Sequence, residues 1–457
     1  MKKPINAIII GAGDRGADVY GNYALRFPEE LKIVAVAEPV KERLEIMKKK
    51  HNIQSIRCYT TWEEILKEDK IAEVAIITTQ DQVHAKPAIL AMKRGYDVLL
   101  EKPMAVTLED CRKLVEISEE TGRLLQICHV LRYAPFFKQL KEIVDSGRIG
   151  KIVNISWREN VSYWHYAHSY VRGNWHNREK ASPMILAKSC HDLDLLFWLI
   201  DTPIKKISSF GHQNHFGRIN QPEGASDRCL DNCLVSEECL YYAPRLYVDL
   251  IPLIHAYRKS GKLKENLFSS ILLKHPVLTK FSPFKKLKEY SGWPISTISK
   301  DLSLDGRMKA LKETDYGKCV FAIEEHNVVD HQTVNIEFEN GVTANLVMHG
   351  FSHEEGRTFR IDGTKGAIIG EFLVSNQKIT IHDSYSGTEN IALQDNNMEE
   401  HGGGDDGIME VFLKSIRGEE KREFLSTARS ALESHLMAFA ADISRLENRI
   451  VEMSEIR

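Results

Sequence analysis

Two short stretches hold residues able to do redox chemistry: Gly11-Ala12-Gly13-Asp14-Arg15-Gly16 and Glu101-Lys102-Pro103. The first lies between a run of β-formers, Ile5 to Ile10, and a helical pattern, the place where the pyrophosphate of a dinucleotide docks. Gly11 permits a tight turn, Gly13 a close approach of backbone to phosphate, and Gly16 the packing of helix on strand. The second stretch ends the run Tyr96-Asp97-Val98-Leu99-Leu100 and puts Glu101 and Lys102 at the carboxyl edge of the same sheet, where open α/β sheets bind ligands. Glu38, at the end of the second strand, suits both hydroxyls of an adenosine ribose and repels a 2′-phosphate, so NAD is expected over NADP. Arg43, five residues on, either softens that preference or is a surface charge. Thr78, Thr79 and His84 follow the strand pattern Val74–Thr78 and are expected to line the nicotinamide side. His84 reads equally well as a helix start without ligand contact.

Oxidising an alcohol by hydride transfer needs a group that removes the hydroxyl proton and a fixed donor that holds the oxygen. Histidine suits the first task, its pKa lying near neutrality. The candidate is His191, in Ala187-Lys188-Ser189-Cys190-His191-Asp192-Leu193-Asp194. On one continuous helix over Ile185–Ile200, Lys188, His191 and Asp194 are spaced by three and share a face. Apolar neighbours (Leu186, Leu193, Leu195, Leu196, Trp198) make that face read as a pocket floor, or else as a helix with a few buried ion pairs. Lys188 is then a second cation beside His191, expected to depress its pKa and to reach an anionic or multiply hydroxylated substrate.

Two further groups face the substrate in this reading. His165, with His168 and Tyr163, falls in an aromatic-rich loop after a strand, with Trp157, Trp164 and Trp175 nearby. It reads as a carbohydrate-facing wall or as ordinary packing. His401, in His401-Gly402-Gly403-Gly404-Asp405-Asp406 before a helix, is a hydroxyl partner or part of a flexible loop.

The elements that position these residues divide the chain. Strands and helices alternate over 1–128, with unbroken Ile and Val runs that indicate strands covered on both faces, hence a parallel sheet. Over 129–457 the strand patterns lengthen and alternate, as in Thr333–Phe338, Thr343–His349, Thr358–Ile361 and Lys378–His382, with Asn340-Gly341 marking a hairpin. An insertion at about 212–330 interrupts them. The expected fold is α/β: a doubly wound parallel sheet, then an α+β domain with a mostly antiparallel sheet. At 457 residues two domains are the default, and a net charge of −3 gives no pull toward nucleic acid or a membrane surface. The start of the chain lacks the apolar run of a signal peptide, and no segment has the roughly 20 apolar residues of a membrane span. A cytoplasmic protein is expected, its eight cysteines thiols or metal ligands rather than disulfides. Cys229, Cys233, Cys239 and Cys319 are candidates for a structural zinc, with unmetallated packed thiols the alternative.

Together the glycine fingerprint, Glu101-Lys102-Pro103 and the His191/Asp194 helix resemble the Gfo/Idh/MocA oxidoreductases, over essentially the whole chain outside the insertion. The resemblance implies an NAD(P)-dependent enzyme with a Rossmann domain and a C-terminal domain whose open sheet often builds homodimers or homotetramers. It implies that Lys102 contacts both cofactor and substrate hydroxyl, that His191 is the base, that Asp194 binds or orients substrate, and that Arg132 lies near the cofactor. Many members have an aspartate where this chain has Ala187. The expected activity is hydride transfer between NAD and a secondary alcohol of a sugar, cyclitol or glycoside. The same residues would serve an NAD-dependent glycoside hydrolase working by oxidation and elimination. A non-catalytic sugar-responsive regulator is the third reading, opposed by the retention of Lys102 and His191 and the lack of a DNA-binding module.

Overall fold

The computed structural model describes residues 3–259, 290, 292–393, 401–419 and 426–457. The lysine-rich run of the insertion (Lys262, Lys264, Lys274, Lys280, Lys285, Lys286, Lys288) lies outside them.

Six strands form the first sheet: β1 (Ile5–Ile10), β2 (Leu31–Ala37), β3 (Cys58–Tyr59), β4 (Val74–Ile77), β5 (Asp97–Leu100) and β6 (Leu125–Ile127). All pair in parallel, in the order 3-2-1-4-5-6. Successive strand residues point to opposite faces. Ile8, Ile10, Ala75 and Ile77 join the apolar layer on one side, while Ala7, Ile9, Val74 and Ile76 join the layer on the other. Both faces are covered, which is why these strands read as continuous apolar runs. Thr107 caps the helix Leu108–Thr121 by accepting the Asp110 N–H at 3.1 Å, and Gly122 ends it at φ 64°. The strand order reverses between β1 and β4, opening a crevice at their carboxyl ends.

The second sheet has nine strands: β7 (Ile152–Ser162), β8 (Ile204–His212), β9 (His331–Phe338), β10 (Thr343–Ser352), β11 (Gly356–Gly363), β12 (Gly366–Leu373), β13 (Gln377–Asp383), β14 (Gly387–Ile391) and β15 (Val451–Glu452). Their order is 14-13-12-11-7-10-9-8-15, antiparallel throughout except for the β7–β10 pair. β12 escapes the sequence reading because Gly366 and Gly370 interrupt it. The reason for Gly370 is steric: a Cβ there would lie 1.9 Å from the Phe359 ring, which itself stacks on Trp157 at 4.5 Å. Trp157 is thus core, and not part of a carbohydrate wall. Helices Pro135–Asp145, Cys190–Ile200 and Ala428–Glu447 cover one face of this sheet.

Two expected helices differ in form. The helix after the glycine loop is π-wound over Asp14–Gly21 and α-wound over Asn22–Arg26. The single helix expected over Ile185–Ile200 is two, Met184–Ala187 and Cys190–Ile200, broken at Lys188-Ser189. The break frees the Ala187 carbonyl to accept the Lys102 amine and turns Lys188 toward Glu355.

The insertion folds between β8 and β9 as short helices, among them Ala243–Tyr247, Ile295–Ile298 and Leu304–Glu313, around Leu246, Tyr247, Ile295 and Leu311. It touches the first domain where Lys300 Nζ donates to Glu42 at 2.8 Å. Among the described residues no group of three or more His, Cys, Asp or Glu side chains is placed to hold a metal. Cys229 packs with Leu246 and Tyr247, Cys319 and Cys239 pack in the neighbouring apolar layer with Phe216 and Val320, and Cys233 is a half-buried free thiol. At the other end of the chain, the Ile127 N–H donates to the Ser426 carbonyl at 2.8 Å and Gln126 bridges Thr427, so late residues cover the outer edge of β6. Among the described residues no helix is long and apolar enough to cross a membrane.

Candidate active site

The crevice at the ends of β1, β2 and β4 is built by the glycine loop. Gly11 adopts φ 93°, and a Cβ at Gly16 would stand 2.1 Å from the Gly11 carbonyl oxygen. At Gly13 the ground is open: a Cβ there would meet nothing nearer than Arg43 Nη1, 4.0 Å away. Asp14 is exposed at the loop's outer side. Glu38 is buried and its carboxylate accepts the Ala12 N–H at 2.6 Å and the Val40 N–H at 2.9 Å. Each carboxylate oxygen keeps a further acceptor site. Thr78 braces the loop by donating to the Gly11 carbonyl at 2.5 Å, whereas the Thr79 hydroxyl is buried without a partner among the described residues. The open cradle over Gly13, the helix start behind it and the orphaned Thr79 hydroxyl fit a dinucleotide.

His84 bridges two backbone segments of the crevice. Its Nδ1 lies 2.7 Å from the Pro103 carbonyl and its Nε2 3.0 Å from the Thr79 carbonyl, so the ring ties the end of β4 to the Glu-Lys-Pro loop. His435, which carries no sequence signal, holds the other side of that loop. Its Nε2 accepts the Met104 N–H at 2.9 Å, so Nδ1 carries the proton and donates to the Ala431 carbonyl at 2.8 Å.

Lys102 reaches the backbone just ahead of the helix that carries His191. Lys102 Nζ donates to the Ala187 carbonyl at 2.8 Å, four residues before His191. His191 is 4% exposed, and its Nδ1 lacks a hydrogen-bond partner among the described residues. Burial, followed by the charges of Lys102, His129, His401 and Arg357, holds its pKa well below the ordinary histidine value. The imidazole is therefore uncharged near neutral pH and able to accept a proton. The His401 ring stands 6.0 Å from it, centre to centre, and that of His129 5.8 Å. His401 is held by Asp405 at 2.9 Å.

Six expected ligand-binding side chains (Arg15, Glu101, Arg132, Asp194, Lys188 and His165) are engaged with one another or with neighbours. Arg15 does not face the cofactor cleft freely. It donates to Glu101 at 2.6 Å and to Asp405 at 2.6 Å, and Glu101 also accepts the Tyr20 hydroxyl at 2.6 Å. Arg132 and Asp194 form a buried two-pronged pair with both contacts at 2.6 Å. Lys188 does not share a helical face with His191. Its amine lies 2.9 Å from Glu355 and 3.7 Å from Glu159, and the depression of the His191 pKa comes from burial first and then from Lys102. His165 joins the same cluster, its Nδ1 3.1 Å from Glu355. His168 is a brace, with Tyr247 on one ring nitrogen and Thr297 on the other. Arg15, Asp405, Tyr20 and Glu101 form a link between domains that spacing could not reveal, because Arg15 and Asp405 lie 390 residues apart.

The buried histidines give the fold an acid limit. His435 and His168 are each lowered to about 3 by burial. Their unfolded value is about 6.5, so the unfolded chain binds their protons first. The stability they contribute is complete above about pH 6.5 and is lost as pH falls toward 3, at up to about 1.4 kcal/mol per pH unit for each ring. Chemical denaturation at pH 7, 6 and 5 should show this loss, and His435→Gln should flatten it. A free energy constant over that range would contradict the burial of neutral rings.

Comparison with known proteins matches this geometry. Residues 5–129 match an oxidoreductase family with an NAD-binding Rossmann fold, and residues 137–230 match the GFO/IDH/MocA C-terminal domain. YteT of Bacillus subtilis, named as an oxidoreductase, is 22% identical over 428 residues, 89% of this chain and 88% of that one. Inositol 2-dehydrogenase of Salmonella typhimurium is 30% identical over 207 residues, 45% of this chain and 57% of that enzyme. Among solved structures, an Agrobacterium radiobacter oxidoreductase in complex with NAD+, L-tartaric acid and magnesium aligns over 100% of both chains, with a TM-score of 0.64 at 12% identity. Aldose-aldose oxidoreductase of Caulobacter crescentus aligns over 98% of this chain and 100% of that one, with a TM-score of 0.62 at 14% identity. The parallel sheet with its glycine cradle, the second sheet and both matched domains place this chain in the Gfo/Idh/MocA family of NAD(P)-dependent oxidoreductases.

Proposed function

We propose that the protein transfers a hydride between NAD and a secondary alcohol of a sugar, cyclitol or glycoside. The observation that carries this reading is the buried, uncharged His191 lying within the field of the Lys102 amine, which reaches across from the other domain. Bound NAD supplies the hydride acceptor. His191 takes the hydroxyl proton from the substrate, and Lys102 holds the same oxygen and stabilises the negative charge that develops on it. Gly11, Gly13 and Gly16 admit the pyrophosphate, Glu38 takes the ribose hydroxyls, and Thr79 offers its unpartnered hydroxyl. His401, set by Asp405, is the remaining substrate contact assigned to the pocket.

Relatives named inositol 2-dehydrogenase and 1,5-anhydro-D-fructose reductase support a cyclic polyol as the substrate class. A screen of inositols, aldoses, other polyols and glycosides for NADH absorbance tests the proposal. NADH formation with at least one of them is expected, and none with any member would overturn it.

Glu38 sets the cofactor preference. Glu38→Ala should raise kcat/KM with NADP relative to NAD by about tenfold, as the repulsion of a 2′-phosphate is lost and Arg43 remains over the loop. An unchanged ratio would assign the selection to another residue. The uncovered face of the nine-stranded sheet, where Phe210 and Ile369 are exposed, is the surface for a homodimer or homotetramer, to be read by light scattering.

A further inference from the structure

The insertion packs aromatic residues against the segment that carries Trp164, His165 and His168. Trp293 stands 5.3 Å from Trp164, 4.8 Å from His165 and 5.4 Å from His168, ring centre to ring centre. Both tryptophans are half-buried, unlike Trp157, which is 2% exposed and stacked inside the core. Their position follows from the contacts already described. Lys102 reaches Ala187, Lys188 reaches Glu355, Glu355 meets His165, and Trp293 lies over His165. On the other side, Tyr316 of the insertion stacks on His168 at 5.1 Å, and Lys300 anchors the segment to Glu42 on the helix after β2. Trp293 is therefore connected to the Lys188 cluster through His165 and Glu355, a few side chains away from the reacting groups.

We propose that Trp293 and Trp164 form an aromatic subsite that stacks on a second ring of a glycoside substrate, next to the ring whose alcohol is oxidised. This rests on the proposed dehydrogenase reading and narrows its substrate class. The polar groups nearest the pair are engaged with each other: His165 and Lys188 with Glu355, and His168 with Tyr247 and Thr297. What the pair offers is flat apolar area, which suits the C–H face of a pyranose and gives little to a charged or extended chain. A single-ring cyclitol fills the position at His191 and Lys102 and leaves the tryptophans unused. A glycoside fills both.

The test is a titration of the full-length, NAD-saturated protein with methyl pyranosides and disaccharides of common hexoses, and with myo-inositol, followed by tryptophan fluorescence. At least one disaccharide should bind and change the emission. Trp293→Ala should weaken that binding by about tenfold, Trp293→Phe by much less, and neither should alter the affinity for NAD or for a single-ring polyol. Equal binding of every disaccharide by the wild type and Trp293→Ala would overturn the subsite, as would binding of none. An emission change produced by NAD alone, with no further change on adding sugar, would show that the pair roofs the cofactor and would also overturn it. Because binding is read without turnover, failure of the subsite is separable from failure of the dehydrogenase reading, which the NADH screen reports.

Discussion

Replacing Lys102 with methionine should lower kcat/KM by about a thousandfold while leaving NAD affinity nearly unchanged. The amine is asked to do two things: hold the alcohol oxygen and keep His191 uncharged. Positioned proton-transfer and charge-stabilising groups each contribute about 10²- to 10⁴-fold. The second task gives the variant a signature beyond lost rate. Burial does most to lower the His191 pKa, and the Lys102 charge comes next. A base must be unprotonated to act, so the acid limb of the wild-type kcat/KM profile should lie below the ordinary histidine value of about 6.5. Without the lysine charge, the His191 pKa rises and the residual activity should lose its acid limb at higher pH. His191→Ala should lose a similar factor and show no such limb. A Lys102→Met enzyme with near-normal kcat/KM, or with an unmoved acid limb, would refute the assigned roles.

Arg357→Met should cost about 3–5 kcal/mol of folding free energy, the range for removing one partner of a buried ion cluster. Arg357 Nε lies 2.6 Å from Glu159 and 3.2 Å from Asp192, and Asp192 also accepts the Trp157 indole N–H at 2.8 Å. Lys188, Glu355 and His165 continue the cluster, and all six charged or titratable side chains are less than 10% exposed. Burial pushes the Glu159 carboxyl well above its usual pKa despite Arg357. Burial acts the same way on Glu355, but His165 and Lys188 outweigh it and hold that carboxyl low. Removing the guanidinium leaves the Glu159 and Asp192 carboxyls poorly matched in the interior. Adding Glu159→Gln to Arg357→Met should recover part of the loss, measured by guanidinium denaturation. A single variant within about 0.5 kcal/mol of wild type would mean that the cluster is already neutralised from within.

The sequence made the first domain legible because its signals are local. A glycine turn after an apolar strand, an acid at the end of the next, and a capped helix such as Leu108–Thr121 each fit within a few residues. The places of Lys102 just after β5 and of His191 on its helix were legible because strand and helix patterns are local too. The helix break at Lys188-Ser189 was not, since it depends on Lys102 and Glu355, residues distant in the chain. Arg132 and Asp194 each resemble a ligand-binding residue in isolation, and only the fold shows that they satisfy each other. β12 stayed hidden because its glycine at 370 makes room for Phe359 rather than marking a turn. Trp293 had no motif at all, and its place depends on where the insertion docks.

The cover that Ser426 and Thr427 give to β6 has a consequence for the newly made chain. Until residues 426 and 427 leave the ribosome, the outer strand of the first sheet keeps an unpaired rim that invites association with other chains. A segment made some 300 residues later thus completes the edge of this sheet, and chains truncated before residue 426 should depend on chaperones to stay soluble.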